Sequence, residues 1–234
     1  MNLARGVFVT GTDTGIGKTT VSCSLLRALR ARGLRAVGMK PVASGCERSA
    51  DGWRNDDALH LLAASDPQPD YALVNPYALP DPTAPEIAAA EVGVTIERER
   101  LRVAFDALRA QADFVLVEGV GGWASPITPQ IDQADLARDF GLPVLLVVGL
   151  RLGCINHARL SARAIAADGL DLAGWIGNAI DPLLRHVNET ISILERAIAA
   201  PCLGVVPHGI GTTDATVHST LSGAAARVAD FRQG

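Results

Sequence analysis

Apolar residues fall along this chain in short, nearly unbroken runs of Val, Leu and Ile, separated by longer stretches in which apolar positions recur at helical spacing. The runs predict strands over 6–10, 35–40, 114–118, 143–149, 172–178 and 202–206. Runs without alternation are what a parallel sheet covered on both faces requires. The intervening stretches predict helices over 18–32, 56–64, 97–111, 133–140, 156–168 and 183–199. Gly33, Gly141 and Gly169 each follow one of them, where a C-terminal glycine is favoured. Strand and helix thus alternate from end to end. The expectation is an α/β fold: a doubly wound, mostly parallel sheet with helices on both faces and right-handed crossovers. Ligands of such a sheet sit at the C-terminal ends of its strands. Residues 50–85 break the pattern with Pro67, Pro69, Pro76, Pro80 and Pro82, and read as loops with a short helix and room for an edge strand. No internal repeat and no second domain is visible, so a single domain over 1–234 is expected.

Composition narrows the class. At 234 residues, 48% hydrophobic and 20% charged, the chain can bury a full core and lies outside the disordered class. A net charge of -4 and a pI near 5.7 argue against nucleic acid as a partner. Arg98, Arg100 and Arg102 alternate with Glu97 and Glu99 and read as a solvated helix face. The start MNLARGVFVTG holds no apolar run long enough for a secretory signal, and residues 142–150, which include Pro143, are too few to span a bilayer. A cytoplasmic protein with no membrane partner is expected. There Cys23, Cys46, Cys154 and Cys202, widely scattered and without a CxxC pair, are free thiols.

The chemistry begins between the first strand and the first helix, in GTDTGIGKTT. Its ending, Gly17-Lys18-Thr19, is that of a phosphate-binding P-loop. Glycines let backbone N–H groups turn toward phosphate oxygens, and the helix N-terminus adds its dipole. Lys18 brings positive charge to the outer phosphates of ATP, and Thr19 offers a hydroxyl to Mg²⁺. The spacing departs by one residue from the common pattern: Thr12 stands where the first glycine is usual, and the glycine is Gly11.

Other candidates lie at predicted strand ends. Glu118, in VLVEGVGG, closes a buried strand beside the loop, where a carboxylate can reach Mg²⁺, and Gly119, Gly121 and Gly122 allow close backbone approach. Taken alone, it could equally be an acidic residue before a turn. Lys40 ends the second strand in GMKPVASG and points into the crevice, with Pro41 stopping the strand. Asp56 and Asp57 open a helix; one is accounted for as a cap or first-turn charge, and the other is a metal candidate. In LRLGCINH a glycine precedes a helix start at Ile155 and Asn156, whose free N–H groups make a carboxylate site, although Asn156 could simply cap that helix. His157 reads as structural, since no Ser or Cys nucleophile constellation accompanies it.

Taken together, GTDTGIGKT, MKPVASG, RNDDAL, VNPY, VEGVGG, LGCINH and GWIGN resemble the dethiobiotin synthetase family, in the family's order, over about 7–207. The one-residue misfit of the loop is itself a feature of that family. The resemblance implies a P-loop enzyme that uses ATP and Mg²⁺ to close a cyclic urea from 7,8-diaminopelargonate and CO₂. It implies that Lys18 and Lys40 stabilise developing negative charge, and that Thr19, Asp57 and Glu118 hold Mg²⁺. Nucleotide contacts are implied at Gly15, Ile16, Gly17, Lys18, Thr19 and Thr20, at Asp57 and at Glu118, Gly119, Val120 and Gly121. Those around the base are implied at Asn178, Ala179, Pro207, His208 and Gly209. Thr14 and Ser44 would lie against the diamine or carbamate. Gly153, Cys154, Ile155 and Asn156 would bind its distant carboxylate across the interface of a two-fold homodimer. The sequence departs from the family at the base: Ala179 follows Asn178 where an acidic residue is frequent, and His208-Gly209-Ile210-Gly211 carries none for the ribose.

Two other readings share parts of this pattern. A partitioning-type nucleotide-switch ATPase has the same loop, but it carries a further lysine early in it, where this chain has Thr10-Gly11-Thr12-Asp13. A related amide-forming ligase acting on a larger acid is compatible with the fold but not favoured by the whole motif set.

Overall fold

A computed structural model of the chain describes residues 5–211 and 216–231. Six strands form one sheet in the order Cys202–Val206, Leu172–Asn178, Val144–Gly149, Arg5–Gly11, Phe114–Gly122, Ala36–Met39. These are the six predicted strands, and every neighbouring pair is parallel. The side-chain period of two explains why the runs had to be apolar throughout. Val7, Val9, Leu116, Leu145, Val147 and Ile176 face one helical layer, built from Lys18–Ala31, Asp56–Ala64 and Thr216–Asp230. Phe8, Val115, Val117 and Val144 face Arg98–Gln111 and Gln133–Phe140 on the other side. On that same side Leu146, Val148 and Trp175 meet Cys154–Ala167 and Val187–Ala197. The fold is the doubly wound α/β arrangement expected.

The register places the chemistry. Val9 pairs with Glu118, after which the pairing slips and Gly11 pairs with Gly122. The acidic end of one strand is thereby set beside the loop that leaves the next.

The structure differs from the sequence reading in several places. The helix Cys154–Ala167 begins earlier than predicted, capped by Gly153 at φ 93, so Asn156 lies in its first turn and does not cap it. The helix Val187–Ala197 starts later, because His186 precedes it in a left-handed conformation at φ 58. Residues 50–85 add no edge strand to the large sheet. Val42–Ala43 pairs with Tyr77–Ala78 separately, and Glu47–Ser49 forms a hairpin with Gly52–Arg54. Besides the short helix Tyr71–Val74 in the irregular stretch, two helices went unpredicted: Pro85–Glu91, and Thr216–Asp230, whose Leu221, Ala224, Ala225, Val228 and Ala229 fill one face of the core. Their apolar stripes are mostly alanine, which gives a weak helical signal.

Candidate functional site

The first strand ends at Gly11 and the chain turns through 12–17 into the helix Lys18–Ala31. Gly17 caps this helix at φ 82, and no side chain occupies its first-turn amides, which leaves them for a ligand. A side chain on Gly17 would strike Asn178: its Cβ would lie 2.0 Å from Nδ2. That same amide donates to the Ile16 carbonyl at 2.8 Å, so Asn178 ties the loop to the end of a neighbouring strand. Asp13 holds the other side, accepting from the Thr14 amide at 2.8 Å and from Arg151 Nη2 at 2.7 Å. The Lys18 ammonium curls over the loop and donates to the Asp13 carbonyl at 2.8 Å. Burial, with the Lys40 charge nearby, pushes Lys18 down to about 8, against the opposing pull of Glu118, Asp57 and Asp13.

Lys40 lies one residue beyond the strand Ala36–Met39 and uses all three of its protons. Nζ donates to Glu118 Oε1 at 2.7 Å, Asp57 Oδ2 at 2.9 Å and the Gly119 carbonyl at 3.3 Å. Lys40 is 3% exposed and Glu118 is 0%. Burial opposes the charge on Lys40, but the two carboxylates outweigh it and hold the ammonium above its ordinary value. Burial likewise opposes ionisation of Asp57, and Lys40 reverses this, keeping its carboxyl below the usual range. Thr19 Oγ1 stands 2.7 Å from Asp57 Oδ1 and 2.9 Å from Glu118 Oε1, and its single proton serves one of them at a time. Cys23, on the loop helix, is pushed up to about 12 by burial and the Glu118 charge, so it stays a thiol.

The adjacent aspartates are separated by the helix they open. Its cap is Asn55, which accepts from the Ala58 amide, so neither aspartate caps it. Asp57 meets Thr19 and Lys40, whereas Asp56 faces the cavity from its wall. Among the described residues no group of three or more His, Cys, Asp or Glu is arranged to hold a metal. Mg²⁺ does not need one: it takes one or two carboxylates and completes its shell with water and phosphate oxygens. The hydroxyl of Thr19 and the carboxylates of Asp57 and Glu118 form a converging set of hard oxygens that fits it.

Thr14, Gly15, Gly17, Lys18, Thr19, Thr20, Lys40, Ser44, Asp57, Val120 and Gly121 line one open cavity of about 440 Å³. Sequence reasoning did not single out Ala43, Asn55 or His60 on its walls. Ala43 and Asn55 lie within MKPVASG and RNDDAL and His60 just after, and only the fold shows that these positions face the cavity. Gly153, Cys154, Ile155 and Asn156 do not line this cavity, nor do Asn178, Ala179, Pro207, His208 and Gly209. Gly153 leaves its helix without a side-chain cap, as Gly17 does. Pro207, His208 and Gly209 are exposed, and His208 Nδ1 lies 3.0 Å from the Ala179 carbonyl.

Fold and loop together define a P-loop α/β nucleotide-binding protein. The chain superposes on the MinC:MinD cell division protein complex of Aquifex aeolicus with a TM-score of 0.59 at 15% identity, covering 99% of this chain and 98% of that one. A ParA family ATPase from Chlorobium tepidum gives 0.56 at 16%, over 97% and 98%. At such identities the likeness is one of fold alone. The AAA_26 family model, an AAA domain, matches residues 5–216. Sequence relatives are far nearer. The ATP-dependent dethiobiotin synthetase BioD of Xanthomonas euvesicatoria pv. vesicatoria is 65% identical over 200 residues, 86% of this chain and 89% of the relative. Those of Xanthomonas axonopodis pv. citri and Xylella fastidiosa are each 63% identical, over 89% and 86% of this chain and 93% and 89% of the relatives. The chain belongs to the ATP-dependent dethiobiotin synthetase family.

Proposed function

We propose that the chain, acting as one P-loop domain over 1–234, closes the ureido ring of dethiobiotin from 7,8-diaminopelargonate and CO₂ with conversion of ATP to ADP and phosphate. The observation that carries this reading is the Lys40 ammonium, held between Asp57 and Glu118 on the wall of a cavity that Lys18 and Ser44 also line. One amine forms an N–C bond to CO₂ and loses a proton, giving a carbamate. A carbamate oxygen bonds to the γ-phosphorus as the bond to ADP breaks. The second amine then attacks the carbamate carbon, phosphate leaves, and a second proton is lost. Negative charge gathers on carbamate and phosphoryl oxygens in each step, so the reaction calls for fixed positive charge and orientation, with no protein nucleophile. Lys18 and the loop amides serve the phosphates, Lys40 serves the carbamate side, and Thr14 and Ser44 orient the amines. Thr19, Asp57 and Glu118 would hold Mg²⁺, which would supply positive charge against the triphosphate.

The diamine also carries a carboxylate. We assign it to Gly153, Cys154, Ile155 and Asn156 of the partner in a homodimer, which accords with their standing outside the cavity of their own chain. Among the described residues no helix is long and apolar enough to cross a membrane, which accords with a cytoplasmic enzyme. Phosphate release measured while omitting diamine, bicarbonate, Mg²⁺ or ATP in turn tests the reaction. Turnover is expected only with all four present, and equal ATP turnover without diamine would instead support a nucleotide switch. Mixing Lys18→Ala chains with chains altered at Asn156 tests the shared site, because mixed dimers restore one intact site only if it spans the interface.

A further inference from the structure

Gln133 opens the helix Gln133–Phe140 yet is fully buried, an unusual position for a first-turn glutamine. Its Nε2 donates to the Val120 carbonyl at 2.8 Å and to the Gly122 carbonyl, which braces the strand end whose Val120 and Gly121 line the cavity. Both amide protons are thereby used, and the orientation of the group is fixed with Oε1 toward Gly119. A Cβ on Gly119 would lie 1.9 Å from Oε1, so a side chain there would displace the glutamine amide. That Oε1 is buried without a partner. So is Glu118 Oε2, the carboxylate oxygen that does not serve Lys40 and Thr19. Glu118 and Gln133 also share the wall of a small cavity of about 10 Å³, lined as well by Phe8, Val42, Ile127 and Leu136. That space is about one water molecule, and a water has two protons to give to two acceptors.

We propose that one buried water links Glu118 Oε2 to Gln133 Oε1, and that Gln133 is a positioning residue fixing how Glu118 presents its other oxygen. The consequence for Mg²⁺ rests on Glu118 being a ligand, whereas the water itself does not. Outer groups that orient a metal-binding carboxylate typically carry 10–100-fold in metal affinity.

A high-resolution crystal structure of the unaltered protein is the first test. One ordered water within hydrogen-bond distance of both oxygens is expected, and a dry cavity or a direct contact between the two oxygens would overturn the proposal. Calorimetric titration of Mg²⁺ in the presence of ADP is the second. Gln133→Met, similar in length and without hydrogen-bonding groups, should weaken Mg²⁺ binding about tenfold, a larger change than in the diamine KM. Unaltered Mg²⁺ affinity in the folded variant would overturn the positioning role, and if the variant does not fold, the crystal structure decides. Glu118→Gln in the same titration separates the two ideas, since unchanged affinity there removes Glu118 as a ligand without touching the water.

Discussion

The two ends of the candidate nucleotide site are built differently. At the phosphate end Lys40, Glu118 and Lys18 are buried and Asp57 and Thr19 are half-buried; Lys40, Asp57, Glu118 and Thr19 form one web, and Lys18 bonds to the Asp13 carbonyl beside it. At the base end Pro207, His208 and Gly209 are exposed, and the side-chain contact they make is that of His208 with the Ala179 carbonyl. Charge acts strongly only where water is excluded and the groups are already aligned. A base offers neutral edges, and selecting among bases needs polar side chains that a wrong base would leave unpaired. On the proposed placement of the nucleotide, the buried polar groups stand at the phosphates and few stand at the base.

Removing Lys40 should break this contrast most severely. Lys40→Ala leaves Glu118 as a buried carboxylate without its partner, and should cost about 3–5 kcal/mol of stability, read from denaturant melts. In folded protein it should also cost about 2–4 kcal/mol in kcat/KM, as should Lys18→Ala, on the scale of one lost preorganised donor. Near-normal turnover in folded Lys40→Ala would take that residue out of the chemistry. Next in size are the metal candidates. Asp57→Asn and Glu118→Gln should raise the Mg²⁺ concentration required for half-maximal rate by at least the roughly 10–100-fold that losing an outer orienting group costs, whereas Asp56→Asn should leave it nearly unchanged. The opposite ranking of the two aspartates would contradict the geometry around Thr19.

The base end should show smaller effects. Other nucleoside triphosphates should support turnover with a penalty of only about 1–3 kcal/mol in kcat/KM. A preference for ATP over GTP and CTP of roughly ten-thousand-fold or more would mean that backbone groups read adenine and that the contrast is false. The gentlest test is pH. Lys18 titrates near 8 in the folded chain against an ordinary value of 10.5, so between these values the unfolded chain holds the proton and the folded chain does not. Its contribution to stability therefore rises with pH across that window. ATP binding runs the other way, because the triphosphate requires the ammonium form. Above about pH 8 binding should take up a proton, and affinity should fall by up to about tenfold per pH unit. Calorimetry in buffers of different ionisation enthalpy measures that proton, and an ATP affinity flat from about pH 7 to 10 would refute it.

Much of the fold was legible in the sequence, because its signals are local. Unbroken apolar runs marked all six sheet strands, since a strand covered on both faces has no polar side to show. Gly17-Lys18-Thr19 marked the loop, because backbone approach and helix dipole depend on residues adjacent in the chain. The small pairings within 42–78 and the helix Thr216–Asp230 were not legible, because they are held by tertiary contact rather than by strong local preference. The site divides along the same line. The sequence by itself determined that a P-loop follows the first strand, and it offered one of two adjacent aspartates as a metal candidate. Tertiary structure decided that Asp57, 17 residues beyond Lys40, and Glu118, 78 residues beyond it, share its ammonium. It also decided that Asn178 clamps the loop and that Gln133 stands behind Glu118. Those meetings depend on strand order and register, which no single segment encodes, because pairing partners are chosen by the packing of the whole sheet.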